Sequence, residues 1–395
     1  MKKIVLLIAC LACLQLQAQI RYEKFYDRQK KHAAVEGLMT DDSIRTGNWT
    51  WWHPNGRVFQ KGAYNNGEKT GLWVSYYEDG SRCSEECHSG DGVSRTWFQN
   101  GDLQSEVPVT KGKKNGTYKS WFPNGQQKDE IIFVNGSREG VAKEWFDNGQ
   151  LKFTGRYKNN ELNSECIWWT EKGKEDMRGR IVDGEQEGEW KFFWRTNGKL
   201  GIKGNYSNGQ ETGTWTYYYE TGEKWREGQY VKGEKQGVWT TWYESGRKLH
   251  EGKYVDGLEN GEWTSWYESG KVDYIGSFKK GLKDGEWKGL YDDGRVRYIM
   301  HYSNDVKNGE EIRYFPNGKI EIRCNYKNGV YHGNYERFNS AGKPEEAGPF
   351  ANGQKEGKWI FYDERGNEMV VAKFQEGKMV SKEEKAPSKP TPNRR

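Results

Sequence analysis

Gly237-Val-Trp-Thr-Thr-Trp-Tyr-Glu-Ser-Gly246-Arg-Lys-Leu-His-Glu-Gly252-Lys-Tyr254-Val-Asp-Gly257 is one statement of a pattern that the chain repeats fourteen times between Gly47 and Val380. The copies open at Gly47, Gly71, Gly92, Gly116, Gly140, Ser164, Gly188, Gly213, Gly237, Gly261, Gly285, Gly309, Gly333 and Gly357. Eleven of the thirteen intervals are 24 residues; the others are 21, from Gly71 to Gly92, and 25, from Gly188 to Gly213. The register is never lost, so no separate domain is inserted. A period in this range marks an array whose units stack on their neighbours.

Each copy begins with a stretch of aromatic and hydroxyl residues, such as Trp215-Thr-Tyr-Tyr-Tyr219, which is strand composition. It stops at a turn pair: Asn55-Gly56, Asn100-Gly101, Asn124-Gly125, Asn148-Gly149 or Asn317-Gly318, with Asp-Gly and Ser-Gly variants. Asn-Gly is read as two positive-φ residues of a tight hairpin. A more polar strand follows and runs to an aromatic residue such as Tyr230, Tyr254, Phe278 or Tyr302, before a second turn starts the next copy. The fold class is therefore all-β: an elongated array of about fourteen 24-residue β-hairpin repeats forming one extended, twisted antiparallel sheet. About 28 strands spaced roughly 4.8 Å apart predict an array on the order of 130 Å long.

Side chains of a strand alternate between faces. Trp239 and Tyr243 therefore share one face and Trp242 lies on the other, so rings are expected on both. Hydrophobic residues are 33% of the chain and charged residues 30%, a balance that leans toward disorder, but 15% of the residues are aromatic and periodic. Aromatic area replaces an aliphatic core. The formal net charge is +5, from 62 basic and 57 acidic residues interleaved along the chain, and no basic stripe is present. Nucleic acid is excluded as a partner on that ground.

The ends differ from the array. Met1-Lys-Lys, the apolar run Ile4 to Leu16 and Gln17-Ala18-Gln19 have the three regions of a secretory signal, with cleavage after Ala18. Export to the periplasm, the outer-membrane surface or the medium is expected. Leu7-Ile-Ala-Cys10 also resembles a lipobox, and membrane attachment is expected only if Cys10 carries a lipid. Residues 19–46 read as an N-terminal cap or linker, 47–380 as the repeat array and 381–395 as a proline-rich disordered tail.

Residue types that carry chemistry are scattered. Cys83, Cys87, Cys166 and Cys324 remain after the leader, and four residues of regular strand put Cys83 and Cys87 about 13 Å apart, beyond disulfide reach. His88 follows Cys87 without a second pair of ligands, so no metal site is assigned. The six histidines occupy different positions in different copies, and no nucleophile or phosphate-loop motif occurs. Glu227 and Glu251 recur at one repeat position, as cross-strand charge partners would. No catalytic residue and no cofactor are expected. Surface recognition remains, and the candidate binding surface is Trp215, Tyr219, Trp239, Trp242, Tyr243, Trp263, Trp266 and Tyr267, the aromatic set of the most regular copies.

Gly-x-Trp-x-x-Trp-Tyr-x-x-Gly-Lys followed by Glu-Gly-x-Tyr-x-x-Gly, as from Gly261 to Gly281, resembles the bacterial variant of MORN repeats, grouped with the YwqK-type antitoxin family. The resemblance spans residues 47–380 and implies hairpin repeats in an extended sheet, with roles in protein or membrane-surface contact; some relatives look like antitoxin or immunity partners of secreted toxins. The first Trp of the repeat is missing at Ser94, Ala142, Cys166 and Glu311. Choline-binding and related wall-binding repeats are also similar, which keeps an envelope glycan open as an alternative to a protein partner. A glycan array would use equivalent pockets in Gly213 to Gly285. A protein would use the irregular copies, Gly71 to Gly116 and Ser164 to Gly213.

Overall fold

The computed structural model describes residues 19–385. The expected leader with Cys10, and residues 386–395 of the expected tail, lie outside the described residues. Within them are 35 strands in an open sheet, every described pairing is antiparallel, and no helix occurs. The chain divides into two compact units, residues 1–185 and 186–395.

The repeat Gly237 to Gly257 shows how one copy folds. Strand Glu234–Trp242 pairs with strand Lys248–Val255, placing Trp239 opposite Gly252, Thr240 opposite Glu251 and Thr241 opposite His250. The register then shifts, and Trp242 faces Lys248. The same shift recurs at the loop end of the other hairpins, for example at Trp51/Trp52 and Thr96/Trp97 in the first unit and Tyr217/Tyr218 and Ser265/Trp266 in the second.

That shift corrects the reading of the Asn-Gly turns. At Asn55-Gly56, Asn100-Gly101, Asn124-Gly125, Asn148-Gly149 and Asn317-Gly318 only the glycine has positive φ. The loop is three residues long: Gly56 N donates to His53 O at 2.9 Å and His53 N donates to Arg57 O at 2.8 Å. This is a type I turn closed by one left-handed residue, which needs a single glycine. The asparagine serves another purpose. Asn55 Oδ1 accepts from Arg57 N at 3.0 Å while its Nδ2 donates to Glu78 O of the next loop at 2.8 Å. Asn124 and Asn148 reach Asp147 O and Glu171 O in the same way. The two-positive-φ turn sits instead between copies, as at Asp256-Gly257 and Asn328-Gly329.

In the first unit, strands Gln19–Phe25 and Ala33–Thr40 pair with each other, and the second pairs with Arg45–Trp52, so the sheet begins before the first repeat. In the second unit the last strand, Lys378–Glu384, pairs with Glu368–Gln375 and extends strand structure to Glu384, past the expected array boundary at 380.

The core is a ladder of rings on one face. In the second unit Trp190, Tyr206, Trp215, Tyr230, Trp239, Tyr254, Trp263, Phe278, Trp287 and Tyr302 follow one another with centroids 5.1–6.2 Å apart, meeting nearly edge to face. The first unit has a shorter run, Trp49, Tyr64 and Trp73.

A glycine makes the ladder close. A Cβ added at Gly228 would lie 2.1 Å from an indole carbon of Trp239, and the same holds for Gly204 under Trp215 and Gly252 under Trp263. None of these three glycines has positive φ; each is needed because the indole lies flat on its backbone. In two of the copies that lack the tryptophan the glycine is replaced as well, Ala142 facing Ile131 and Glu311 facing Met300, whereas Gly155 is kept beside the smaller Cys166. Glu311 is 1% exposed and is held by Lys307 Nζ at 2.7 Å and by Arg313 Nε. A buried carboxylate persists only when paired in this way.

Candidate functional site

The eight residues expected to form a binding surface lie together in the second unit, but they knit hairpins to each other. Trp215 and Trp239 are 4% and 2% exposed, so neither offers a contact surface. Their Nε1 atoms donate to Asn205 O and Gln229 O, both at 3.2 Å. Trp263 is half-buried over Gly252. Tyr219, Tyr243 and Tyr267 donate their hydroxyls to Trp242 O, Trp266 O and Leu290 O of the following hairpins at 2.8–2.9 Å. Burial pushes the Tyr219 and Tyr243 phenols up, as fits donors held against a carbonyl. Trp242 and Trp266, on the opposite face, are half-buried beneath Lys224 and Lys248, whose Nζ atoms stand 5.6 Å from the ring centroids. The alternation of faces is visible in the sequence. The covering of the ring face is not, because it depends on a glycine eleven residues upstream.

The recurring carboxylates are structural pairs. Glu227 accepts from Thr216 Oγ1 at 2.9 Å and Lys224 Nζ at 2.8 Å; Glu251 accepts from Thr240 Oγ1 at 2.8 Å and Lys248 Nζ at 2.7 Å. Burial works to raise both carboxyls, but the lysine and threonine bonds outweigh it and hold them below the ordinary carboxylate range. The four cysteines are free thiols. Burial, with the Glu311 charge adding, pushes Cys324 up to about 12. Among the described residues no group of three or more His, Cys, Asp and Glu is placed to hold a metal ion.

Two features escaped the sequence reading. The first is an aliphatic strip on the turn edge of the second unit. Leu258, Leu282, Val306 and Val330, each the residue after a turn between copies, are 47%, 39%, 42% and 43% exposed. Their constant 24-residue spacing was the signal available in the sequence. The second is what the missing tryptophan at Ser94, itself visible in the sequence, does in the first unit: it breaks the ring ladder and leaves open space beside it. Beyond Trp73 the ladder position is held by Ser94, whose hydroxyl accepts from Cys87 N at 3.0 Å. Next to this break lies a groove of about 340 Å³, lined by Thr96, Phe98, Ser105, Tyr118, Ser120 and Phe122 among others.

No curated protein matches the chain in sequence. Among solved structures, the TcdB2-TccC3 crystal structure is similar over 91% of this chain and 23% of its own, at 12% identity and a TM-score of 0.16. The Photorhabdus luminescens Tc holotoxin pore is similar over 94% of this chain and 22% of its own, at 12% identity and a TM-score of 0.17. The chain thus spans less than a quarter of the length of these structures, and a likeness of this degree carries neither a fold nor a function over to it. Seven stretches, 45–66, 114–135, 138–159, 211–232, 259–280, 283–304 and 307–328, match the family model described as MORN repeat variant. Their frame is that of the hairpins, each ending at the turn between copies, and the chain is a β-hairpin repeat protein with seven stretches that match MORN repeat variants.

Proposed function

We propose that the chain is an exported, non-catalytic scaffold of the cell envelope that holds a protein partner along the turn edge of its second unit. The observation that carries this reading is the strip Leu258, Leu282, Val306 and Val330, which repeats an exposed aliphatic side chain once per hairpin. Equivalent positions in adjacent hairpins are two strands apart, roughly 10 Å. Contiguous apolar surface of this kind is the usual mark of a protein contact. The non-catalytic reading draws support from Glu227 and Glu251, both engaged in lysine and threonine pairs, and from the buried, protonated Cys324. Export rests on the leader motif.

The test is capture from an envelope extract on the chain without its leader, residues 19–395, beside the double variant Leu282→Glu, Val306→Glu. One defined protein held by the native chain and lost by the variant, with an unchanged β circular dichroism spectrum, supports the reading. Equal retention by both, or no retained protein, refutes it. A captured toxin would specify the partner as the antitoxin-type resemblance implies.

A further inference from the structure

The break in the first unit's ladder opens onto a continuous polar row. Gln60 stands opposite Ser75, Ser75 opposite Ser84, Ser84 opposite Thr96, Thr96 opposite Ser105, Ser105 opposite Ser120, and Ser120 opposite Asp129. Seven successive strands thus place a short polar side chain at the same level of the ring face. Gln60 Nε2 donates to Ser75 Oγ at 2.9 Å, the Thr96 and Ser105 hydroxyls are 2.6 Å apart, and Ser120 Oγ donates to Asp129 Oδ2 at 2.6 Å. Each hydroxyl in these bonds keeps hydrogen-bonding capacity, since it offers one donor and two acceptor sites. Ser84 lies between the bonded pairs and is 7% exposed.

The groove along this row has aromatic walls. Phe98 and Phe122 stand at the loop end in consecutive hairpins, roughly 10 Å apart by strand spacing, and Tyr118 also lines the groove. Both phenylalanines take the place that Tyr243 holds in the second unit, and without a hydroxyl they form no bond to the next hairpin. Charge at the groove is balanced: Asp129 is tied to Ser120 and Lys128 stands 5.7 Å over the Phe122 ring.

We propose that this groove binds a neutral, linear saccharide. Aromatic rings stack against the C–H face of a pyranose, hydroxyl rows exchange hydrogen bonds with its hydroxyls, and the step from Phe98 to Phe122 suits two linked sugars. A peptide fits poorly. It would add to a sheet edge or fill apolar pockets, whereas this floor lies mid-sheet, its backbone groups paired and its side chains hydroxylic. The saccharide site uses residues of the first unit only and is independent of the protein-binding strip, so either assignment fails without the other.

The experiment is calorimetric titration of the chain, residues 19–395, with chitohexaose and with cellohexaose, alongside hydrogen exchange with and without sugar. Binding of at least one is expected, with sugar-induced protection confined to residues 92–130. Phe98→Ala and Phe122→Ala should each weaken it roughly tenfold, the scale of one aromatic contact. Ser105→Phe, which fills the trough as Tyr217 does in the second unit, should abolish it, and Tyr243→Phe should leave it unchanged. Failure to bind either sugar, protection elsewhere, or binding that survives Ser105→Phe would overturn the assignment.

Discussion

Hairpins 213–302 and hairpins 71–145 share one backbone plan and fill it differently. In the first set the ring ladder runs from Trp215 to Tyr302, every tryptophan of the ladder lies on a glycine, and Tyr219, Tyr243 and Tyr267 each bond a carbonyl of the next hairpin. In the second set the ladder lapses at Ser94, Ala142 faces Ile131, and Phe98, Phe122 and Phe146 stand where those tyrosines would be. The level that holds Tyr217, Arg226 and Tyr274 in one holds Ser75, Ser84 and Thr96 in the other. Regular copies use their rings for cohesion and leave only their turn edge open, whereas the ring face itself opens where the repeat departs from its own rule.

The largest expected effect that separates the two sets is ring removal. Trp239→Ala should cost about 3–5 kcal/mol, the range for deleting a buried large aromatic, read by urea titration of tryptophan fluorescence. Tyr118→Ala, half-buried beside the groove, should cost clearly less; equal costs would erase the distinction. Next comes the exchange of glycine and tryptophan. Gly252→Ala forces a methyl into the Trp263 ring and should cost about 1–3 kcal/mol, the scale of overpacking. In the irregular set Ala142→Trp alone should be similarly unfavourable, and adding Ile131→Gly should restore most of the loss. Additive losses in that double variant would show that the pairing is coincidental.

The hydroxyl latch is smaller. Tyr243→Phe should remove about 1 kcal/mol, the net value of one hydrogen bond, whereas Phe122 already lacks the hydroxyl and loses nothing of this kind. The smallest effect concerns pH. Burial pushes His250 below its ordinary value near 6.5, with the Asp273 charge opposing, and its Nδ1 is buried without a partner. The folded state therefore holds the proton less tightly than the unfolded one. The contribution is fully present above the ordinary value and is lost as pH falls through the lower, folded one. A stability profile measured from pH 8 to 4 should flatten in His250→Gln at its acidic end.

The repeat, the strands and the outward alternation of Trp239 and Trp242 were legible because period and parity are properties of the chain alone. The burial of Trp215 and Trp239 was not, because a face becomes a core only when the neighbouring strand offers a bare backbone, and nothing in the sequence at Gly204 and Gly228 says which ring will lie on them. The loop geometry at Asn55-Gly56 was misjudged because the register shift beside it lengthens the loop by one residue. The polar row was hidden for the same reason. Ser75, Ser84, Thr96, Ser105 and Ser120 are separated by alternating intervals of 9 to 15 residues, and only the paired register aligns them.

Hydrogen exchange on the free chain, followed by mass spectrometry, tests most directly whether rings close one region and leave the other open. Amides of residues 237–302 should exchange much more slowly than those of 92–145, because opening the former separates stacked rings and latches. Equal protection in the two regions, or faster exchange in 237–302, would contradict the account.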